Sequence, residues 1–125
     1  MKKKILIVDD DRALLTVLKD MVISLNYTVV EAHNGEEALT IYKTEHPDLV
    51  LLDILMPKKD GFEVLEDIKI LHESVVPIII LSNLSGDEDL KKGSALGATD
   101  YITKSNFTLK EIMEKISKAF KITTQ

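Results

Sequence analysis

Ile5-Leu6-Ile7-Val8-Asp9-Asp10-Asp11 is a run of four apolar residues, three of them β-branched, stopped at once by three carboxylates. An apolar run this short is a strand, and one without polar alternation is buried on both faces, as in a parallel sheet. Directly after the carboxylates, Leu14, Leu15, Leu18, Met21, Val22 and Leu25 recur at helical spacing. A doubly buried strand, an acidic turn and an amphipathic helix make the first half of a βαβ unit. The preceding Met1-Lys2-Lys3-Lys4 imitates the start of an export signal, but the apolar stretch ends too early to be one.

The same alternation continues outward from this stretch. Thr28 to Val30, Leu49 to Leu52, Ile78 to Leu81, and Tyr101 with Ile102 are further short apolar runs. Asn34-Gly35-Glu36-Glu37 reads as a capped helix start, followed by Ala38, Leu39 and Tyr42 and closed by Pro47. Phe62, Leu65 and Ile68 predict a third helix from about Asp60, and Asp87 through Leu96 a fourth that stops at Gly97. Leu109, Ile112, Met113, Ile116 and Phe120 form the stripe of a fifth, with Lys110, Lys115, Lys118 and Lys121 read as its solvated face. Five strands alternating with five helices predict a doubly wound α/β domain over residues 1–125, a parallel sheet with helices on both faces.

Composition agrees and excludes several classes. The 125 residues are 45% hydrophobic and 30% charged, enough for one domain that buries roughly two-thirds of its unfolded surface without staples. No Cys is present, which removes thiol nucleophiles, zinc thiolates and disulfides and makes the cytoplasm the default compartment. Sixteen basic against twenty-one acidic residues give a formal charge of −5, the wrong sign for direct nucleic-acid binding. No apolar run approaches the ~20 residues that span a bilayer, so no membrane role is expected.

In such sheets ligands bind beyond the carboxyl ends of the strands, where connections diverge to opposite faces. Strand one ends in Asp9, Asp10 and Asp11, strand three in Asp53, strand four in Ser82 and strand five in Lys104. With strands ~4.8 Å apart, these side chains converge on one small ligand. Carboxylates packed together repel, and a hard divalent cation relieves them, with Mg²⁺ the best fit because a few carboxylates and waters suffice. A carboxylate beside a cation, a hydroxyl and an ammonium can attack phosphorus and form an acyl phosphate. Asp11 is read as a helix cap, and His33, His46 and His72 show no metal spacing and take surface positions with no role. Taken alone, Lys104 reads more often as a solvated lysine and Tyr101 more often as simple core.

Val8-Asp9-Asp10, Leu52-Asp53-Ile54-Leu55-Met56-Pro57 with Asp60-Gly61, Ser82, Gly97-Ala98 and Tyr101-Ile102-Thr103-Lys104 resemble, in order and along essentially the whole chain, the receiver domain of two-component response regulators. The resemblance implies a flavodoxin-like sheet of strand order 2-1-3-4-5. It implies that Asp53 is the phosphoacceptor, that Asp10 binds Mg²⁺ (or Mn²⁺) directly with Asp9 helping through water, and that the Leu55 backbone carbonyl completes the metal ligands. Ser82 would bind the phosphoryl group, Lys104 would pair with its oxygen, and Tyr101 would turn inward when Ser82 moves. The implied partners are a sensor histidine kinase or histidine phosphotransfer protein and a downstream protein target met by the face of helix four, strand five and helix five, with the chain a monomer or a phosphorylation-dependent dimer.

The chain departs from the family pattern in three places. Ser105 replaces the Pro that usually follows the Lys, which predicts a trans bond and a reshaped loop. Asn83 follows Ser82 where a small residue is usual. Leu55 and Leu84, two residues beyond Asp53 and Ser82, put apolar groups where water would approach an acyl phosphate, which predicts slow self-dephosphorylation. Against the receiver reading stand three others. An aspartyl phosphohydrolase would carry a second Asp where Leu55 stands, a degenerate receiver would lack the complete acidic and basic set, and a flavodoxin-like cofactor binder would carry a Ser/Thr-rich phosphate loop after strand one. Whether the chain is a whole regulator or a piece of one is left open.

Overall fold

The structure, a computed structural model, describes residues 2–56, 59–71, 76–83 and 87–123. The elements run β1 (Lys4–Val8), α1 (Arg12–Ser24), β2 (Thr28–Ala32), α2 (Gly35–Glu45), β3 (Leu49–Asp53), α3 (Gly61–Leu71), β4 (Ile78–Ser82), α4 (Asp87–Ala95), β5 (Asp100–Thr103) and α5 (Leu109–Thr123). All strand pairs are parallel, in the order β2-β1-β3-β4-β5. The expected flavodoxin-like order is therefore present, and the chain reverses direction across the sheet between β1 and β3.

Because side chains alternate across a strand, each strand feeds two cores. Ile5, Ile7, Leu49, Leu51, Ile79, Leu81 and Ile102 pack beneath Leu15, Leu18 and Val22 of α1 and Ile112, Ile116 and Ala119 of α5. Leu6, Val8, Val50, Leu52, Ile78 and Ile80 face the other way, onto Ala38 of α2 and Val64, Leu65 and Ile68 of α3. Two buried faces explain why β1, β3 and β4 carry no polar alternation.

Helix ends follow side-chain chemistry. Asp11 Oδ1 accepts the Ala13 and Leu14 N–H groups at 3.0 and 3.2 Å, so it is the cap expected of it. Asn34 caps α2 through the Glu37 N–H at 2.9 Å, and His46 closes that helix in the left-handed conformation just before Pro47. Asp60 Oδ1 accepts the Glu63 N–H at 2.9 Å, which starts α3 at the next residue. The end of α4 is a Schellman turn: Ala98 N–H donates to Gly93 C=O at 2.9 Å, Gly97 N–H to Ser94 C=O at 3.0 Å, and Gly97 sits at φ +100°.

The α5 stripe differs from the expectation. Ile112 and Ile116 are fully buried, but Leu109 and Met113 lie at the edge of the stripe and are 42% exposed. Lys115, expected in solvent, is half-buried. Its ammonium donates to the Tyr101 carbonyl and lies 3.6 Å from Asp100 Oδ1 and 3.4 Å from Glu111 Oε2, tying α5 to β5.

Candidate functional site

Four strand ends meet at the sheet's carboxyl edge. Val8 pairs with Ala32 on one side and Leu52 on the other, so the next residues, Asp9 and Asp53, are neighbours across the point of divergence. Asp9 N–H extends the β1–β2 ladder to the Ala32 carbonyl at 3.1 Å, which fixes the Asp9 backbone and sends its side chain under the edge. The side chain is fully buried. Its Oδ1 accepts the Asp11 N–H at 2.9 Å, so Asp9 also holds the turn that begins α1.

Asp53 is the last residue of β3 and only 2% exposed. Lys104 reaches both carboxylates: its Nζ lies 3.1 Å from Asp9 Oδ2, 3.3 Å from Asp9 Oδ1 and 3.2 Å from Asp53 Oδ2. No described peptide bond is cis, so Lys104 reaches the site with Ser105 behind it in a trans linkage. Lys104 N–H in turn donates to the Ser82 carbonyl at 3.1 Å, which aligns the ends of β4 and β5. Ser82, 6% exposed, is one residue beyond Leu81, the register partner of Asp53.

Asp10 is exposed at the mouth, yet Asp9, Asp10 and Asp53 each place one carboxylate oxygen within 4.8 Å of the others. Asp9 Oδ2 and Asp53 Oδ2 are buried and have no hydrogen-bond donor in good geometry among the described residues, although both stand within ion-pair distance of the Lys104 ammonium. Two buried acceptors and a third carboxylate this close together, with one ammonium among the described residues against three negative charges, fit a small hard cation. Leu55 follows two residues after Asp53 and is 65% exposed, and Asn83 is exposed beside Ser82. Leu84 and Pro57 lie outside the described residues.

The electrostatics follow from burial. Desolvation pushes the Asp53 carboxyl up, Asp9 raises it further and Lys104 pulls it back in part, leaving a pKa of about 6 in place of 3.8. Burial acts against the Lys104 ammonium, but Asp53 and Asp9 outweigh it and raise its pKa.

Gly61 is a site residue whose reason sequence reading did not supply. Its N–H donates to the Ile54 carbonyl at 2.8 Å, and a Cβ there would stand 2.3 Å from the Asp53 carbonyl oxygen. Only glycine lets α3 begin against the backbone of Asp53 itself. The Asp60-Gly61 pair was visible, but its contact with Asp53 depends on how the chain returns over β3. Tyr101 is half-buried, packed on the second core face with its hydroxyl against Gly93 of α4. His33 is half-buried rather than at the surface, with Nδ1 3.0 Å from Glu37 Oε1. His46 is exposed, and His72 lies outside the described residues.

Known proteins resemble this chain in sequence and fold. The description "response regulator receiver domain" matches residues 5–117. A probable transcriptional regulator, ycf27, of Porphyridium aerugineum is 45% identical over 115 residues, which are 92% of this chain and 47% of the relative. The chain thus spans about half the length of the curated relatives it matches. The CheY-like response regulator receiver domain protein of Methanospirillum hungatei superimposes with a TM-score of 0.92 at 30% identity, covering 99% of this chain and 98% of the other. A CheX-CheY-BeF3-Mg²⁺ complex from Borrelia burgdorferi gives a TM-score of 0.88 at 29% identity over 94% of this chain and 89% of the other. With its sheet order, its acidic edge and this match over nearly all its length, the chain belongs to the response regulator receiver domain family.

Proposed function

We propose that residues 1–125 act as one receiver domain that takes a phosphoryl group onto Asp53 from a sensor histidine kinase or histidine phosphotransfer protein. The observation that carries this is the buried Asp53 carboxylate at the point of chain divergence, 3.2 Å from the Lys104 ammonium and grouped with Asp9 and Asp10. Ionised Asp53 attacks the phosphorus of a phosphohistidine. The new O–P bond forms as the P–N bond breaks, and the imidazole leaves and takes up a proton. Ser82 donates a hydrogen bond to one phosphoryl oxygen, and Lys104 moves its charge from the carboxylate pair to another.

Asp9, Asp10, Asp53 and the Leu55 carbonyl would hold Mg²⁺ (or Mn²⁺), an ion named in the Borrelia complex. When bound, the cation offsets negative charge on the transferred group. Tyr101 then changes its position, and α4, β5 and α5 alter their preference for a partner protein. Exposed Leu109 and Met113 give that face apolar anchors. The relatives are named as transcriptional regulators, so control of transcription is the output we propose, in the cytoplasm, as a monomer or a phosphorylation-dependent dimer. The acidic balance of these residues makes them the sensor of the phosphoryl group and not the nucleic-acid contact. No helix among the described residues is long and apolar enough to cross a membrane.

The test is the intact mass after incubation with acetyl phosphate. Wild type should gain one phosphoryl group only with Mg²⁺ present, and Asp53→Asn should gain none. A gain in Asp53→Asn equal to wild type would move the acceptor elsewhere, and no gain in wild type from either acetyl phosphate or a phosphorylated histidine donor would leave a module that signals by binding alone.

Asp10→Asn checks the cation site separately. Asp10 is exposed, whereas the ion pairs of Lys104 run to Asp9 and Asp53, so its loss should weaken Mg²⁺ binding about tenfold or more while leaving the fold intact. An unchanged Mg²⁺ titration removes Asp10 from the ligand set.

A further inference from the structure

Gly93 stands within α4, buried, where glycine is among the least favourable helix residues. The Schellman turn explains Gly97 but not Gly93, whose carbonyl would accept the Ala98 N–H with any side chain in place. Space explains it instead. A Cβ on Gly93 would lie 2.1 Å from the Tyr101 hydroxyl oxygen, 2.7 Å from Ile80 Cδ1 and 3.1 Å from Tyr101 Cζ. The phenol occupies the place of the missing side chain.

The backbone of Tyr101 is tied at three points that limit how far it can answer a change at Gly93. Its N–H is held by Asp100 Oδ1 at 2.8 Å, its carbonyl by the Lys115 ammonium, and its register by Ile80 on β4. The ring therefore moves chiefly through its own torsions, between the notch at Gly93 and positions outside it. Conversely, α4 lies against the sheet at Gly93 with the Tyr101 ring and the tip of Ile80 filling the gap.

We propose that Gly93 is the notch that seats the Tyr101 phenol, making ring position and the seating of α4 on β4 a single variable. Gly93 is in this sense a positioning residue for Tyr101. The packing claim concerns the unphosphorylated protein and stands by itself, whereas its use in signalling rests on the proposed function of Tyr101 as the group that responds to Asp53.

Four proteins decide it: wild type, Gly93→Ala, Tyr101→Phe and the double variant, each with labelled Ile δ1 methyls and aromatic rings. Tyr101→Phe keeps the ring but removes the oxygen nearest the added methyl. In wild type the nuclear Overhauser contact between the residue 101 ring and the Ile80 δ1 methyl should be strong. Gly93→Ala should reduce it at least threefold and lower the melting midpoint, opposite to alanine's better helix propensity, and adding Tyr101→Phe should restore more than half of both losses. A Gly93→Ala protein that keeps the contact, or a double variant with no recovery, overturns the proposal. Should Gly93→Ala fail to fold, recovery of folding in the double variant supports the notch and its absence overturns it. Acetyl phosphate with Mg²⁺ then separates the two claims, because a wild type that gains the phosphoryl mass without any shift of the Tyr101 ring signals refutes the switch role alone and leaves the notch to the contact data.

Discussion

Asp53→Asn should make the metal-free protein more stable, by on the order of 2 kcal/mol, while abolishing phosphoryl uptake. The carboxylate is 2% exposed, faces Asp9 and shares the Lys104 ammonium with it. Its pKa of about 6 in place of 3.8 means that the ionised carboxyl present at neutral pH is held at a cost the unfolded chain does not carry. Asparagine has nearly the same shape and no charge, so burial, Asp9 and Asp10 cease to oppose it, and only the attraction to Lys104 is lost. For a domain of this size the midpoint should rise about 5–10 °C. An unchanged or lower midpoint would mean that Lys104 already neutralises Asp53 fully.

The same group sets a pH dependence of definite sign. An acid with a raised folded-state pKa binds its proton more tightly folded than unfolded. Its contribution to stability is therefore greatest below the unfolded value of 3.8, falls as pH rises toward about 6, and is constant above that. Wild type minus Asp53→Asn, measured by urea unfolding from pH 4.5 to 7.5, should isolate this slope, since acidic groups common to both proteins cancel. Lys104 behaves as a base with a raised pKa, so what it contributes is present below its ordinary value of 10.5 and is lost only as pH climbs through the higher folded value. The two titrations do not overlap.

Much of this arrangement was legible in the chain itself. The runs Ile5–Val8, Leu49–Leu52 and Ile78–Leu81 are apolar at every position because each strand feeds two cores, and that pattern has few other readings. Asp9, Asp53, Ser82 and Lys104 were placed by the rule that the ends of such strands meet, and a shared edge requires no knowledge of side-chain torsions. What was not legible depends on contacts between distant segments. The stripe of α5 looked uniform, yet Leu109 and Met113 emerge at its edge, and Lys115 leaves the solvated face because Asp100 and the Tyr101 carbonyl lie within its reach. Gly61 stands out in the sequence only as half of the Asp60-Gly61 pair, and Gly93 not at all. Their meaning comes from the Asp53 backbone and the Tyr101 hydroxyl, which occupy the space a side chain would need.

Lys104→Ala should be the most damaging single change at the site. Replacement leaves Asp9 and Asp53, fully buried and 2% exposed, facing each other without the ammonium now 3.1 and 3.2 Å away. Removing one member of a buried ion pair costs roughly 3–5 kcal/mol, and the 16% exposure of the lysine side chain moves the expectation to the lower end of that range. Two controls separate charge from packing. Asp53→Asn in the Lys104→Ala background removes half of the stranded charge and should recover more than half of the lost stability, whereas a loss of lysine methylene packing would not respond. Mg²⁺ should do the same without mutation, because a ligand that binds only the folded state stabilises it in proportion to RT ln(1 + [L]/Kd). If Lys104 and the cation serve the same carboxylates, the midpoint shift produced by saturating Mg²⁺ must be larger in Lys104→Ala than in wild type. Equal shifts in the two proteins would place the cation beyond the reach of Asp9 and Asp53, and with it the acidic edge would lose its role as a metal site.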